Sequence, residues 1–390
     1  MSNRLFNQLC AATFALAAIL FGVPGCETGV DPNPLPDPQD PGPVVGDPDV
    51  ANPSGFWRRE SGRLFSFGHY QLEYLMLGDD GSIRTTVRDQ LTNILYCTDG
   101  LYAHFEGAIV MDLTGRDVQS ISGSDVMLIE MPDADSLQLM DRNEMTTFVR
   151  EADVPVGYQC KEVVVEAYFE GLDVMPDYYS GLAYDGTLLW FRDRDSDLIY
   201  PIDPESGELG MARNLTRAKD VQAFQGDDFW SVCNCSNRVL VERRTKLDVV
   251  LDEVSEAELN VEFYANAAAF DNTEKVLWIY GENTTTERNG FLKVNAEPAA
   301  PDANELLDQA EFDAYLDAIA ADGPYLWALA DSDSPHIVKI DTRTYRAVAT
   351  YTLPHDRVRW YGIAVGGDYL YLIGRNYEQD TGVLMKLAKD

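Results

Sequence analysis

The chain has 390 residues, 45% of them hydrophobic, and carries 30 Lys and Arg against 65 Asp and Glu, a formal charge of −35 at pH 7. The apolar share excludes wholesale disorder, and the length suffices for two domains. Such an acidic surface repels phosphate backbones, which excludes nucleic acid as a partner and favours cationic partners or divalent metals.

Residues 1–25 predict an export signal. Arg4 supplies positive charge, Cys10 to Val23 is an apolar run too short to span a bilayer, and small residues follow. The signal ends in Val23-Pro24-Gly25-Cys26. This resembles the bacterial lipobox in its apolar residue three before the Cys, its Gly and its Cys, whereas Pro24 departs from the usual small residue. The resemblance implies that Cys26 becomes a lipidated N-terminus, each buried CH₂ adding about 0.8 kcal/mol to membrane binding. Glu27, in place of Asp after the Cys, implies the outer membrane of a Gram-negative envelope.

Residues 26–53 read as a tether. Glu27 to Pro53 holds eight prolines, five aspartates and no large aromatic residue. Such a segment builds no core and extends by about 3 Å per residue, holding the folded part off the bilayer.

Residues 54–155 predict a small antiparallel barrel of short alternating strands joined by Asp/Gly turns. The quoted segments are Gly55-Phe56-Trp57, Leu75-Met76-Leu77 before Gly78-Asp79-Asp80-Gly81, Gly107 to Met111, Leu137-Gln138-Leu139 and Thr146-Thr147-Phe148-Val149-Arg150. The opening Gly-x-Trp and the closing Leu-x-Leu…Thr-x-Phe-x-Arg hairpin resemble bacterial lipocalin-like domains. That resemblance implies structural roles for Trp57 and Arg150, the guanidinium packed across the ring at one barrel end, and, in a hollow barrel, room for an apolar ligand. The competing expectation makes this stretch two further blades of a seven-bladed ring.

Beyond Cys10 and Cys26, four cysteines remain: Cys97, Cys160, Cys233 and Cys235. In an exported chain they suggest disulfides with three connectivities, of which Cys97–Cys160 with Cys233–Cys235 is preferred. Metal binding by Cys-x-Cys has little support from the four histidines of the whole chain.

From 161 to 390 one phrase repeats five times. Its marks are Leu189-Trp190, Phe229-Trp230, Leu277-Trp278, Leu326-Trp327 and Leu370-Tyr371, which lie 40, 48, 49 and 44 residues apart. These spacings are those of β-propeller blades. In the first repeat Gly181–Tyr184, Thr187–Phe191, Leu198–Asp203 and Met211–Leu215 read as four strands. The last repeat lacks a fourth strand after Val383 to Leu387, and Val163 to Phe169 can supply it and close the ring. The Gly-x-Ala…Asp-Gly…Leu-Trp…Ile-Asp rhythm resembles lactonase-like, glutaminyl-cyclase-like and quinoprotein-like propellers. It implies the fold and is nearly silent on chemistry. The aromatic dipeptides read as packing between blades, and Asn304 to Ala318 as a surface helix.

No Gly-x-Ser-x-Gly, His-Glu-x-x-His or Walker loop occurs, and no catalytic residue is assigned. Asp193 to Asp197 offers alternate carboxylates, yet Pro204 replaces the bidentate Glu of a calcium hand. The candidate ligand rim gathers the loops between second and third strands with the connections entering the inner strands. It comprises Asp193, Asp195, Asn234, Asn283, Asp331 and Asn376 with Tyr178, Tyr179, Tyr264, Trp360 and Tyr361, a set suited to a cation, sugar or peptide. The leading expectation is a non-catalytic, envelope-anchored binding module for a protein, peptide or carbohydrate, with no cofactor unless calcium. The alternatives are a calcium-dependent propeller enzyme, lactonase-like or an aminoacyl cyclotransferase, and lipophilic-ligand binding in the barrel.

Overall fold

Segments that alternate apolar and polar residues between Asp/Gly turns become strands throughout. The computed structural model of the chain describes residues 53–389 apart from 63–69, 106–107, 114–122, 142–143, 156, 158, 177–180, 194–197, 215–220, 226–227, 235–238, 246–249, 255–258, 260, 297–305, 331–335 and 355–357. Among the described residues no helix is long and apolar enough to cross a membrane. Cys26 and the export signal lie outside the described residues, as does the tether before Pro53.

Strands β1 (Gly55–Ser61), β2 (Tyr70–Leu77), β3 (Ser82–Asp89), β4 (Leu95–Phe105), β5 (Ala108–Leu113), β6 (Gly123–Asp133), β7 (Ser136–Asp141) and β8 (Glu144–Glu151) pair in sequence order. β1 also pairs with β8, Trp57 opposite Arg150, so the sheet closes on itself as an antiparallel barrel. These strands are therefore not blades, and the seven-bladed alternative falls. Trp57, Leu72, Leu75, Ile83, Leu139 and Phe148 are buried in its interior. At one end the Arg150 guanidinium lies 4.3 Å from the Trp57 ring centre and donates to the Ser54 and Ala134 carbonyls. Gly55 (φ 144°) passes so close that a Cβ there would sit 2.7 Å from Arg150 Nη1, which is why the residue two before the Trp is glycine.

The chain then enters the ring through β9 (Lys161–Glu162) and β10 (Val165–Leu172). Blade 1 is β11 (Leu182–Tyr184), β12 (Leu189–Asp193), β13 (Leu198–Ile202) and β14 (Arg213–Asn214); blade 2 is β15 (Val221–Gln225), β16 (Asp228–Asn234), β17 (Val239–Thr245) and β18 (Val250–Val254). Blade 3 is β19 (Phe263–Asp271), β20 (Val276–Asn283), β21 (Arg288–Asn295) and β22 (Leu306–Glu311). Blade 4 is β23 (Leu316–Asp322), β24 (Tyr325–Ala330), β25 (His336–Asp341) and β26 (Arg346–Thr352), with β9 added in parallel outside it. Blade 5 is β27 (Val358–Gly366), β28 (Tyr369–Asn376) and β29 (Thr381–Ala388), completed by β10, with Val165 opposite Leu387 and Phe169 opposite Leu384. The protein is thus nearly all-β with a five-bladed propeller, and the strand that closes it runs to Leu172, three residues beyond the sequence expectation.

An apolar cluster sits between each pair of neighbouring blades, and every aromatic dipeptide feeds one of them. Trp190, Trp230, Trp278, Trp327 and Tyr371 are each 3% exposed or less and fall into five different clusters. Opposite them on the inner strands stand Ala183, Ala223, Ala269, Ala320 and Ala364, small enough to leave room for the ring. On the other side the cross-strand neighbours of the last four are Arg243, Lys293, Lys339 and Lys386. Lys293 and Lys339 lie 5.0 and 4.7 Å from the Trp278 and Trp327 ring centres, a cation–π arrangement. In blade 1, where Pro201 takes that place, Arg213 reaches over Trp190 from the fourth strand.

The barrel docks on blade 4 through its β3–β4 turn. Asn93, at φ 65°, donates from Nδ2 to the Ala347 carbonyl at 2.7 Å, and the Ala347 N–H donates to the Thr92 carbonyl. The Leu95 N–H donates to Thr350 Oγ1, and the Tyr96 ring meets His336 edge-on. The Cys97–Cys160 disulfide joins the barrel wall to the residue just before β9. Cys233 is also disulfide-bonded, while Cys235 lies outside the described residues.

The expected helix over Asn304–Ala318 is replaced by β22 and the start of β23. Leu306 and Ala310 are spaced by four, which satisfies a period of two as well as one of 3.6. Phe312, Ala314, Leu316 and Ala318 continue the two-residue period and are all buried. Pairing with β21 supplies the blade with its fourth strand, and that tertiary gain overrides local helix preference. In blade 1 the fourth strand is described over Arg213–Asn214, so Met211 and Ala212 of the expected Met211–Leu215 fall outside it, while Leu215 lies outside the described residues.

Five aspartates serve as turn caps. Asp89, Asp185, Asp203, Asp271 and Asp341 each accept, through Oδ1, the N–H groups two and three residues onward. At Asp341 the Arg343 guanidinium, then the Arg343 N–H, holds the carboxyl down at about 2. Asp203 is lowered by the Glu205 and Ser206 N–H groups. With the folded value below the unfolded one of about 4, this stabilisation is present above pH 4 and is lost as pH falls towards 2. Asp341→Asn keeps an acceptor but removes the titration, so urea midpoints measured between pH 5 and 2 are expected to fall less steeply than in the parent. Equal slopes would show that Asp341 does not contribute.

Candidate functional site

Strand register separates the two rims. The turns between second and third strands start at Asp193, Asn234, Asn283 and Asn376, paired with Leu198, Val239, Arg288 and Thr381. Four of the expected rim residues are therefore equivalent and lie at one end of the ring. Asp195, Asp331, Tyr178 and Tyr179 lie outside the described residues.

The side chains on that rim serve largely local bonds. Asn234 exchanges two hydrogen bonds with the Ala265 backbone, its Nδ2 donating at 2.8 Å and its Oδ1 accepting at 2.7 Å, which ties blade 2 to blade 3. Asn283 Oδ1 accepts from Thr285 and Thr286, and Asn376 Oδ1 from Glu378 and Gln379. Trp360 and Tyr361, expected on a ligand surface, are 1% and 2% exposed because they pack within the blade 5 side of the ring; the Tyr361 hydroxyl meets that of Tyr377. Of the expected rim aromatics among the described residues, Tyr264 alone is open, at 41%. A groove of about 270 Å³ touches this rim at blade 3, lined by Asn283, Thr286, Arg288 and Glu311, the last two ion-paired at 2.9 Å.

The central channel opens elsewhere. A cavity of about 150 Å³ takes lining from all five inner strands, β11, β15, β19, β23 and β27, and from the turns Asp271–Thr273 and Asp322–Gly323, which join first to second strands. These turns belong to the opposite rim. Each inner strand pairs on one side only, so five strand edges turn their unpaired N–H and C=O groups to the channel.

No protein-family model and no curated protein matches the chain. Solved propellers are similar to it in outline. The glutaminyl cyclase of Myxococcus xanthus is 10% identical, with a TM-score of 0.43, over 59% of this chain and 99% of that one. The calcium-binding protein regucalcin of Agrobacterium tumefaciens is 11% identical, with a TM-score of 0.35, over 60% and 97%. The PQQ-bound aldose sugar dehydrogenase of Streptomyces coelicolor is 12% identical, with a TM-score of 0.35, over 57% and 98%. Likeness at this level carries no argument about chemistry.

The residues at the channel mouth differ in how far their bonds are satisfied. Asp322 accepts from Trp327 Nε1 at 3.1 Å and pairs with Lys389 at 3.0 Å. Just outside the cavity Asp185 accepts from Trp190 Nε1 at 2.6 Å. Asp271 is 2% exposed and uses only Oδ1, for the Thr273 and Glu274 N–H groups. Its Oδ2 and the Trp278 Nε1 have no partner among the described residues. Sequence reasoning alone passes over Asp271, although a signal exists: Asp185-x₄-Trp190 and Asp322-x₄-Trp327 become Asp271-x₆-Trp278. The longer turn lets the indole and carboxylate miss each other. Among the described residues no three His, Cys, Asp or Glu side chains converge as a metal-binding group.

Proposed function

We propose that this protein is a lipid-anchored, non-catalytic binding module of the cell envelope: Cys26 carries the anchor, residues 27–53 hold the fold off the bilayer, and the propeller presents the binding surface. The observation that carries the reading is ring closure by β10, which follows the barrel after the short strand β9. With β10 in place blade 5 has its fourth strand and β29 is no longer an outer edge, so the two rims and the channel are left for recognition. The barrel, with side chains in its interior, is a spacer between tether and ring; its Gly-x-Trp opening and Thr-x-Phe-x-Arg ending support lipocalin-like kinship. Outer-membrane placement follows from Glu27. The acidic surface fits a protein, peptide or carbohydrate partner rather than nucleic acid.

The test is metabolic labelling with an alkyne fatty acid in a Gram-negative host, followed by membrane fractionation. The parent is expected to take up label and sediment with the outer membrane, and Cys26→Ala to do neither. Label that is absent from the parent, or unchanged in Cys26→Ala, overturns the anchor. Lactone hydrolysis or aminoacyl cyclisation by the purified protein with added calcium overturns the non-catalytic part.

A further inference from the structure

We infer that the groove of about 270 Å³ at the rim end of blade 3 binds the ring of a neutral sugar. The inference deepens the binding-module reading and rests on it, since it chooses the carbohydrate among that reading's partners and gives it a place.

Strand register makes the groove. Asn283 pairs with Arg288, and Gly290 with both Gly281 and Glu311, so these side-chain positions share one face of the blade. Further in, the same face carries Ile279 and Leu292, which join the cluster with Trp230 and Val241 of blade 2. At the rim end the cluster gives out. The third residue after the dipeptide aromatic and its cross-strand partner are Asp193 and Leu198, Cys233 and Leu240, Ala330 and His336, or Gly374 and Val383 in the other blades. In blade 3 they are Gly281 and Gly290, and neither brings a side chain to fill the space. A Cβ on Gly290 would run into the Ala310 carbonyl, so the strand packing itself requires the bare position.

Charge and chemistry decide the ligand. Of the lining residues only Arg288 and Glu311 are charged, and they pair at 2.9 Å, so the groove is neutral on a strongly acidic protein. An anion has to compete with Glu311 for the guanidinium, and a cation with Arg288 for the carboxylate. A hydroxyl does neither, because the spare N–H groups of Arg288 and the spare lone pairs of Glu311 can serve it while the pair stays intact. The side chains of Thr286 and Gln309 are exposed and make no hydrogen bond among the described residues, and both can donate as well as accept. Phe263, Gly290 and Ala310 supply apolar wall. Groups that donate and accept beside apolar wall match a sugar ring, whose hydroxyls do both and whose C–H groups need cover. The volume approaches the lower end of small-molecule sites, about 300 Å³, which admits a sugar ring and excludes a folded peptide.

The experiment uses the mature, detergent-solubilised full chain. The methyl glycosides of glucose, galactose and mannose are titrated singly and followed by saturation-transfer NMR and by melting temperature, with glucuronate, glucosamine and trialanine as charged and peptide counterparts. At least one glycoside is expected to show transfer and to raise the melting temperature, and the three counterparts to bind more weakly. Thr286→Ala/Gln309→Ala removes two exposed side chains, so it is expected to melt as the parent does and to weaken Kd for that glycoside about tenfold or more. Gln379→Ala, an exposed amide on the same rim at blade 5, leaves Kd unchanged. No transfer from any glycoside in the parent overturns the site whether or not the variant folds. Binding that the double variant retains in full lies elsewhere and overturns the groove. Glucuronate, glucosamine or trialanine that binds as well as the glycoside overturns the neutral sugar. A protein that is lipidated at Cys26 yet ignores all three glycosides refutes this site and leaves the anchor intact.

Discussion

Excision of Val165–Leu172 is expected to abolish the propeller's cooperative unfolding. Blade 5 would keep β27, β28 and β29, and β29, buried from Gly382 through Leu387, would become a free apolar edge. Leu172 belongs to the cluster between blades 5 and 1, and Phe169 packs against it and reaches the turn at Gly207, where a Cβ would sit 2.6 Å from its ring. Removal of each large buried side chain costs about 2–5 kcal/mol, and a domain has only about 5–15 kcal/mol in total. The shortened chain should therefore lose its near-ultraviolet circular dichroism at 25 °C and aggregate through the β29 edge. A synthetic peptide spanning Glu162 to Asp173, added in trans, should restore part of the signal. An excised protein that melts as the parent does would show that the ring does not depend on this latch.

Loss of the Cys97–Cys160 bridge is expected to lower stability by about 4 kcal/mol, the loop-entropy value for its span. The two cysteines are 63 residues apart, and the bridge ties β4 to the residue that precedes both β9 and the closing strand. Without it the unfolded chain gains freedom, and the entry into the ring hangs on the Thr92, Asn93 and Leu95 contacts with β26. Urea unfolding of Cys97→Ser/Cys160→Ser against the parent measures the difference. A change below about 1 kcal/mol would assign the docking to those contacts and the buried apolar surface around them.

The blade positions were legible because they depend on neighbours in the chain. An inner-strand alanine, an Asp/Gly turn and an aromatic dipeptide are local marks, and repetition at blade spacing multiplies them. The paired cations were legible in principle too, since Arg243, Lys293, Lys339 and Lys386 follow their aromatics across a single hairpin. The misreading of Asn304–Ala318 has the same root. Spacing by four fits both periods, and only the empty edge of β21 decided for the strand.

The candidate site was far less legible. Asn283 and Asn376 are the residue types of a polar ligand rim and equally of turn caps, and the bonds they make inside their own hairpins appear only once the turn is folded. Trp360 looks like a platform in sequence and is sealed between blades in the fold.

Local patterning by itself determined that this chain makes strands, that from residue 161 they group in fours into five blades, and that the last group borrows a strand from upstream. Tertiary structure alone decided which rim opens into the channel and which acid there lacks a partner. The physical reason is that hydrophobic period and turn chemistry act over a few residues, whereas whether Asp271 meets an indole, a lysine or nothing depends on how five separate hairpins converge around one axis.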